Sequence, residues 1–190
     1  MARLEQPNSF QHLGTFWMLL LLFPAFTAAD AGSDESALKS VLVYKLAQFI
    51  EWPDSAHERF TICVLGEDPF DGTLERLNGR KIDQVPIVTA YYALSEQVPK
   101  TCRILYLSSG KRPFQRRILE KFSRWPILTL GETDDFVEQG GMIQFHRIDG
   151  RFGFIINLEH AVATGLRIAA PLLSMSQIME TRPRGRGAQP

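Results

Sequence analysis

The sequence predicts an α/β fold. It reads as a single compact Rossmann-like domain, with a mainly parallel central sheet flanked by helices, a C-terminal β-hairpin and a closing helix. Three observations carry this. Short apolar runs rich in β-branched residues alternate with helical patterns from Arg59 to Gln139, the order that a layered βαβ architecture produces. Asp149–Gly150 sits between two alternating runs, a strong hairpin signal because a type I′ turn needs positive φ at both central positions. A chain of 190 residues with 45% apolar content can bury one core of ordinary size.

Taken in order, residues 1–31 read as a signal peptide. The apolar run "FWMLLLLFPAF" is too short to span a bilayer comfortably, and "TAADAG" after it spaces small residues for cleavage after Ala29 or Ala31. An uncleaved anchor is the alternative. No cysteine follows the run, which argues against a lipoprotein. Export places the mature chain, residues 32–176 with a disordered basic tail at 177–190, in the periplasm.

"ESALKSVLVYKLAQFIEWP" predicts the first helix, with an apolar stripe of Leu38, Val41, Leu42, Leu46, Phe49 and Ile50. Pro53 ends it and pushes Trp52 toward an extended conformation. "RFTICVLG" is a short buried strand. "EDPF" opens a second helix, with Asp68 as N-cap, Pro69 in the first turn and Gly79 at its close. "KIDQVPIVTAYY" is a strand whose Pro86 suggests an edge or a bulge. "CRILYLS" and "PILTLGE" are further strands, separated by the basic amphipathic helix "PFQRRILEKF". "TDDFVEQGG" predicts a short helix capped by Thr133 and ended by glycine.

Folding the next segment about Asp149–Gly150 sets Ile143 opposite Ile156, Phe145 opposite Phe154 and Arg147 opposite Phe152. Ile143, Phe145, Phe152, Phe154 and Ile156 then share a core face. Asn157 is the expected cap of the last helix, "LEHAVATGLRIAA", which Pro171 kinks or ends. The glycine pair Gly140–Gly141 has two readings. It is either sheet construction, with one glycine in the left-handed position that ends the preceding helix, or an active-site loop beside Asn157, Glu159 and His160. The first explains the residues with less.

Little chemistry is visible. Lys and Arg balance Asp and Glu at 21 each, so no bulk field draws nucleic acid or an anionic membrane. His12, His57, His146 and His160 show no metal-ligand spacing. There is no nucleophile elbow. "LGEDPFDG" carries carboxylates where a dinucleotide fingerprint would carry glycines, so a nucleotide enzyme is disfavoured. No cofactor and no catalytic residue is expected. "YLSSGK" places Ser108, Ser109 and Lys111 at a strand's C-terminal end, where ligands sit in open α/β sheets; a polar strand-to-helix turn is the commoner meaning. The helix bearing Lys111, Arg112, Arg116, Arg117, Lys121 and Arg124 is either a solvated face or a surface for an acidic partner. Trp52–Pro53 and Trp125–Pro126 are aromatic–proline pairs at element ends, suited to the core or to partner contacts. Cys63 and Cys102 are an even pair in an exported chain, which suggests one disulfide; two buried thiols are the alternative.

The pieces in this order resemble the YfiR family of exported bacterial proteins. The likeness lies in "LKSVLVYKLAQFIEWP", "FTICVLGEDPF", "CRILYLS", "PILTLGETDDFVEQGGMIQF" and "RFGFIINLEHAVATGLRIAAPLL", from about Leu38 to Leu173. The resemblance implies a non-enzymatic periplasmic protein. It implies a partner, the periplasmic part of an inner-membrane diguanylate cyclase that is held inactive, and a sequestering outer-membrane lipoprotein that relieves the repression. It also implies a homodimer. Cys63 and Cys102 match a cysteine pair of the family, which supports the disulfide. Some members carry a second pair near "GGMIQF", where this chain has none, which puts redox control through that pair in doubt. Trp52, Pro53, Gly140 and Gly141 are the candidates for partner contact or loop positioning. The alternative function is a small-ligand module, feeding a transporter or sensor, that uses the crevice at the strand C-terminal ends.

Overall fold

A computed structural model describes residues 30–53, 58–148 and 151–178. Residues 1–29 of the predicted signal peptide, nearly all of the predicted basic tail, His57 and the Asp149–Gly150 turn lie outside the described residues. The chain begins with α1 (Asp30–Gln48) and the two-residue β1 (Ile50–Glu51). It continues through β2 (Phe60–Leu65), β3 (Lys81–Ile82), β4 (Val85–Tyr92), β5 (Cys102–Leu107), α2 (Gln115–Phe122), β6 (Leu128–Gly131), β7 (Ile143–Ile148) and β8 (Arg151–Ile156). It closes with α3 (Leu158–Ala163), β9 (Arg167–Ile168), α4 (Ala170–Met175) and β10 (Gln177–Ile178).

The main sheet has the order β10-β8-β7-β6-β5-β2-β4-β3. Strands β4, β2, β5, β6 and β7 all run parallel. Antiparallel pairs close the flanks, β3 with β4 and β8 with β7. A separate antiparallel pair, β1 with β9, joins the end of the first helix to the C-terminal segment.

Side-chain alternation along the parallel strands divides the interior into two layers. Ile62, Val64, Ile104, Tyr106, Leu128 and Leu130 belong to one core with Val43, Leu46 and Ala47 of α1. Cys63, Leu65, Leu105 and Leu107 belong to the other, with Ile118, Leu119 and Phe122 of α2. Strands covered on both faces must be apolar at nearly every position, which is why "FTICVL" and "CRILYL" show no polar alternation.

Several elements differ from the sequence expectation. The buried side of α1 is Lys39, Ser40, Val43, Leu46 and Ala47, while Leu38 and Val41 are exposed. Leu42, Leu46, Phe49 and Ile50 of the expected stripe do pack on the core, but Leu38 and Val41 do not, because the helix packs partly through polar groups. The Ser40 and Thr73 hydroxyls share a 2.8 Å hydrogen bond, and Ser40 also bonds the Ser36 carbonyl. Ile50 belongs to β1, not to the helix.

The helix expected after "EDPF" is a series of turns and one 3-10 turn at Leu74–Leu77. Asp68 accepts from the backbone N–H groups of Phe70 and Gly72, at 2.9 and 2.8 Å. It thereby fixes a tight turn, not a helix start, and Asp71 and Gly72 take positive φ. The single strand expected over "KIDQVPIVTAYY" is a hairpin, because Asp83 and Gln84 both sit at positive φ between β3 and β4. Pro86 does lie near the sheet edge, opposite Lys81.

"TDDFVEQGG" forms successive turns and no helix. Thr133 spends its hydroxyl on the Gln115 side chain, at 2.6 Å, instead of capping. The closing helix is broken in two, since Gly165 adopts φ +87° after α3 and Arg167–Ile168 pairs with β1. Pro171 sits in the first turn of α4, where its missing N–H costs nothing. Gln177–Ile178 pairs with β8 and so is part of the sheet, not of the tail. Strands β7 and β8 pair in the register set out above, Ile143 with Ile156 through Ile148 with Arg151.

Candidate functional site

Three places on this frame collect polar or loop residues. The first surrounds α3. Gly140 takes φ +101°, and the N–H of Gly141 donates to the Phe136 carbonyl at 2.9 Å. A Cβ at Gly141 would lie 2.2 Å from the Phe136 ring, and one at Gly131 would lie 2.3 Å from the same ring. Both glycines admit Phe136, which is fully buried. The glycine pair is therefore accounted for by a turn and an aromatic plug.

Asn157 ties this turn to α3. Its Oδ1 accepts from the His160 N–H at 3.0 Å, its Nδ2 donates to the Val137 carbonyl at 3.3 Å, and its own N–H donates to the Met142 carbonyl at 2.8 Å. The His160 ring comes within 3.7 Å of the Cβ position of Gly140. Burial holds the His160 imidazole below its ordinary pKa, with Glu159 opposing the shift. At the other end of α3, the Pro53 ring stands 3.3 Å from the Cβ position of Gly165. Trp52 packs edge-on to Phe60, with centroids 5.0 Å apart, and joins the α1 core. Thus Gly140, Gly141 and Asn157 come together at the start of α3, and Pro53 meets its end. Trp52 serves the core from that end, while Pro53 is exposed. Trp125 lies elsewhere, on the α2 core, with the Lys100 ammonium 3.7 Å above its ring.

The second place was not legible in the sequence. The Tyr106 hydroxyl donates to Glu132, Lys39 bridges Glu132 and Glu35 at 3.0 and 3.2 Å, and Arg147 pairs with Glu35. This chain of groups links β5, the end of β6, α1 and β7 beside a cavity of about 240 Å³. Burial, then the Glu132 charge, pushes the Tyr106 hydroxyl well above its ordinary pKa, so it stays a donor. The signal that existed was Lys39 at i−4 from Val43 and i−7 from Leu46, a cation on the buried face. A lysine there requires a carboxylate partner, but nothing in the sequence names Glu132.

The third place is the crevice at the C-terminal ends of β2, β4 and β5. A hollow of about 500 Å³ lies between Leu65, the Ala93–Glu96 turn, and Lys111, Phe114, Arg117 and Ile118. A neighbouring one of about 270 Å³ shares Ala93 and Lys111 with it and adds Gly66, Glu67 and Gly110. Ser108 and Lys111 of "YLSSGK" do line or abut this region, as their position after a strand predicts.

Cys63 and Cys102, 39 positions apart in sequence, form a disulfide with Cα atoms 6.0 Å apart. It joins the adjacent strands β2 and β5 inside the α2 core. Among the described residues, no group of three or more His, Cys, Asp or Glu could hold a metal ion.

The fold is thus a mainly parallel α/β sheet with an apolar core on each face and one disulfide between adjacent strands. The sequence profile of the YfiR/HmsC-like family matches residues 36–177. The chain belongs to that family. No curated protein matches it. Membership is consistent with a periplasmic regulator of cyclic di-GMP signalling, and the proteins of the family are periplasmic. Among the described residues, no helix is long and apolar enough to cross a membrane.

Proposed function

We propose that the protein is a non-enzymatic periplasmic regulator that binds the periplasmic part of an inner-membrane diguanylate cyclase and holds it inactive, lowering cyclic di-GMP. The observation that carries this reading is the family match across residues 36–177. Residues 1–31 act as the export signal, with cleavage after Ala29 or Ala31. The mechanism is differential affinity. A protein that binds the inactive form of the cyclase more tightly shifts that equilibrium by as much as the two affinities differ, and by no more.

The surface around α3 suits this task. It sets exposed Pro53 at one end and the turn at Gly140 at the other, both braced from beneath by Trp52, Phe136 and Asn157. A homodimer and release through sequestration by an outer-membrane lipoprotein belong to the same proposal. The test is cellular cyclic di-GMP in cells with the gene deleted and then restored. A rise on deletion that reverses on restoration is expected. No change, with the protein shown to be expressed and exported, would refute the reading.

A further inference from the structure

We infer that the crevice at the C-terminal ends of β2, β4 and β5 is a binding site for a small organic carboxylate with an apolar body. This goes beyond the cyclase reading and does not depend on it.

The topology puts the crevice where a ligand site belongs. The chain leaves β2 to build β4 on one side and then crosses to build β5 on the other. The loops after β2 and β5 therefore diverge and leave a gap above the sheet. Gly66, at φ +109°, opens that gap. The Lys111 stem passes 3.2 and 3.3 Å from where a Cβ at Gly66 would be, and Ser108 lies at 2.9 Å, so only a glycine leaves this room. The main hollow, about 500 Å³, falls within the range of small-molecule sites.

Its lining is two-sided. Leu65 and Ile118 are buried and make an apolar floor, while Leu94 and Phe114 stand at the rim, 57% and 63% exposed. Two large, exposed apolar side chains lining one hollow are what a bound apolar body would cover.

The charge is uneven. In the main hollow Lys111, Arg117 and Lys121 face a single carboxylate, Glu96, while Glu67 lines the adjoining hollow with Lys111. Glu96 is already served by its own backbone N–H and by the Ser95 hydroxyl, with Lys121 and Arg117 adding to the same effect. Lys121 donates to the Ser95 carbonyl at 2.7 Å. Lys111 has no acidic partner among the described residues. One carboxylate cannot balance three cations, and an incoming carboxylate beside Lys111 and Arg117 would gain charge-assisted hydrogen bonds. A bare inorganic anion would satisfy the cations but leave Leu94 and Phe114 uncovered.

The test is titration calorimetry on the purified mature protein with benzoate, 4-phenylbutyrate and octanoate. Controls are 4-phenylbutyramide, which lacks the charge, and inorganic phosphate, which lacks the apolar body. At least one of the three carboxylates is expected to bind in the micromolar to low millimolar range, with the amide and phosphate at least about tenfold weaker. The K111E/R117E variant reverses the charge of half-buried Lys111 and exposed Arg117 and is expected to weaken binding at least about tenfold while keeping a cooperative melt. Amide shift changes in the NMR spectrum should centre on Gly66, Leu94 and Lys111. No binding by any of the three carboxylates would overturn the proposal. So would binding unaffected by K111E/R117E, shift changes centred elsewhere, or phosphate binding as tightly as the carboxylates.

Discussion

Replacing both Cys63 and Cys102 with alanine tests how much of the fold's stability comes from limiting the unfolded chain. The two residues lie 39 positions apart. For a closed loop of about 40 residues, the chain-entropy relation gives about 13 cal/mol/K, or about 4 kcal/mol at 25 °C. Both sulfurs are buried, Cys63 at 0% and Cys102 at 1% exposed, so their removal also loses packing, at about 1 kcal/mol for a void of methyl size. A folded domain of about 140 residues unfolds with an entropy of about 0.3 kcal/mol/K, so 4 kcal/mol corresponds to a drop in Tm of about 13 °C.

Calorimetric melts under oxidising conditions read that drop. Urea titration supplies an independent sign: the variant should show a larger m value, because an uncrosslinked unfolded chain exposes more surface. Adding a phosphine reductant should bring the wild type close to the variant and leave the variant unmoved. If wild type and variant melt within about 2 °C of each other, and reductant changes neither, the two strands are not held by a disulfide and the entropic reasoning fails.

Other outcomes follow from the same geometry. Lys39→Met should destabilise by about 1–3 kcal/mol in urea unfolding. It leaves Glu132 and Glu35 without their shared cation, and the loss is smaller than for a fully buried pair because both carboxylates keep some solvent. Gly141→Ala should cost at least about 2 kcal/mol, since its Cβ would meet both the Phe136 ring and its carbonyl oxygen. Gly153→Ala meets only the tip of the His146 side chain and should cost less, which a pair of melts would show. Asn157→Ala should cost about 1–2 kcal/mol by removing the cap on α3 and the bond to Val137. His160 has a folded pKa below its unfolded value near 6.5. Between the two values the unfolded chain binds the extra proton. The stability from a neutral His160 is therefore fully present above about pH 6.5 and is lost as pH falls toward the folded pKa. H160Q should flatten the stability profile as pH falls below about 6.5, relative to wild type.

The sequence was most informative where one physical requirement acted alone. The strands "FTICVL" and "CRILYL" must be apolar on both faces, and they stand where their composition placed them. Asn157 could be read as a cap because the signal is local, a polar residue ahead of an apolar run, and its side chain does accept from His160. The mainly parallel sheet agrees with the expected alternation, although of the three crossover helices expected between its strands α2 alone forms. Failures cluster where tertiary contacts overrode local pattern. Leu38 and Val41 look like core by spacing, yet α1 turns Lys39 and Ser40 inward because Glu132 and Thr73 wait for them. "LEHAVATGLRIAA" has the composition of one helix, but Gly165 breaks it so that Arg167 and Ile168 can pair with β1. Neither Glu51, which accepts from Arg167 at 2.9 Å, nor Glu132, which accepts from Lys39, can be named from its partner, since the two lie 116 and 93 positions apart.

The same contrast explains what the glycine pair holds in place. Gly131 and Gly141 lie ten positions apart in sequence, yet both are emptied of side chain to seat one ring, that of Phe136. The demand is set by an aromatic side chain packed between two strands, which no local motif records. A substitution at either glycine would therefore act through the position of the turn and of α3 behind it, not through lost chemistry. A G141A variant that lost partner binding in proportion to its loss of folded protein would have a structural glycine. One that stayed folded, kept the wild-type melt and still lost binding would place the contact surface on that turn.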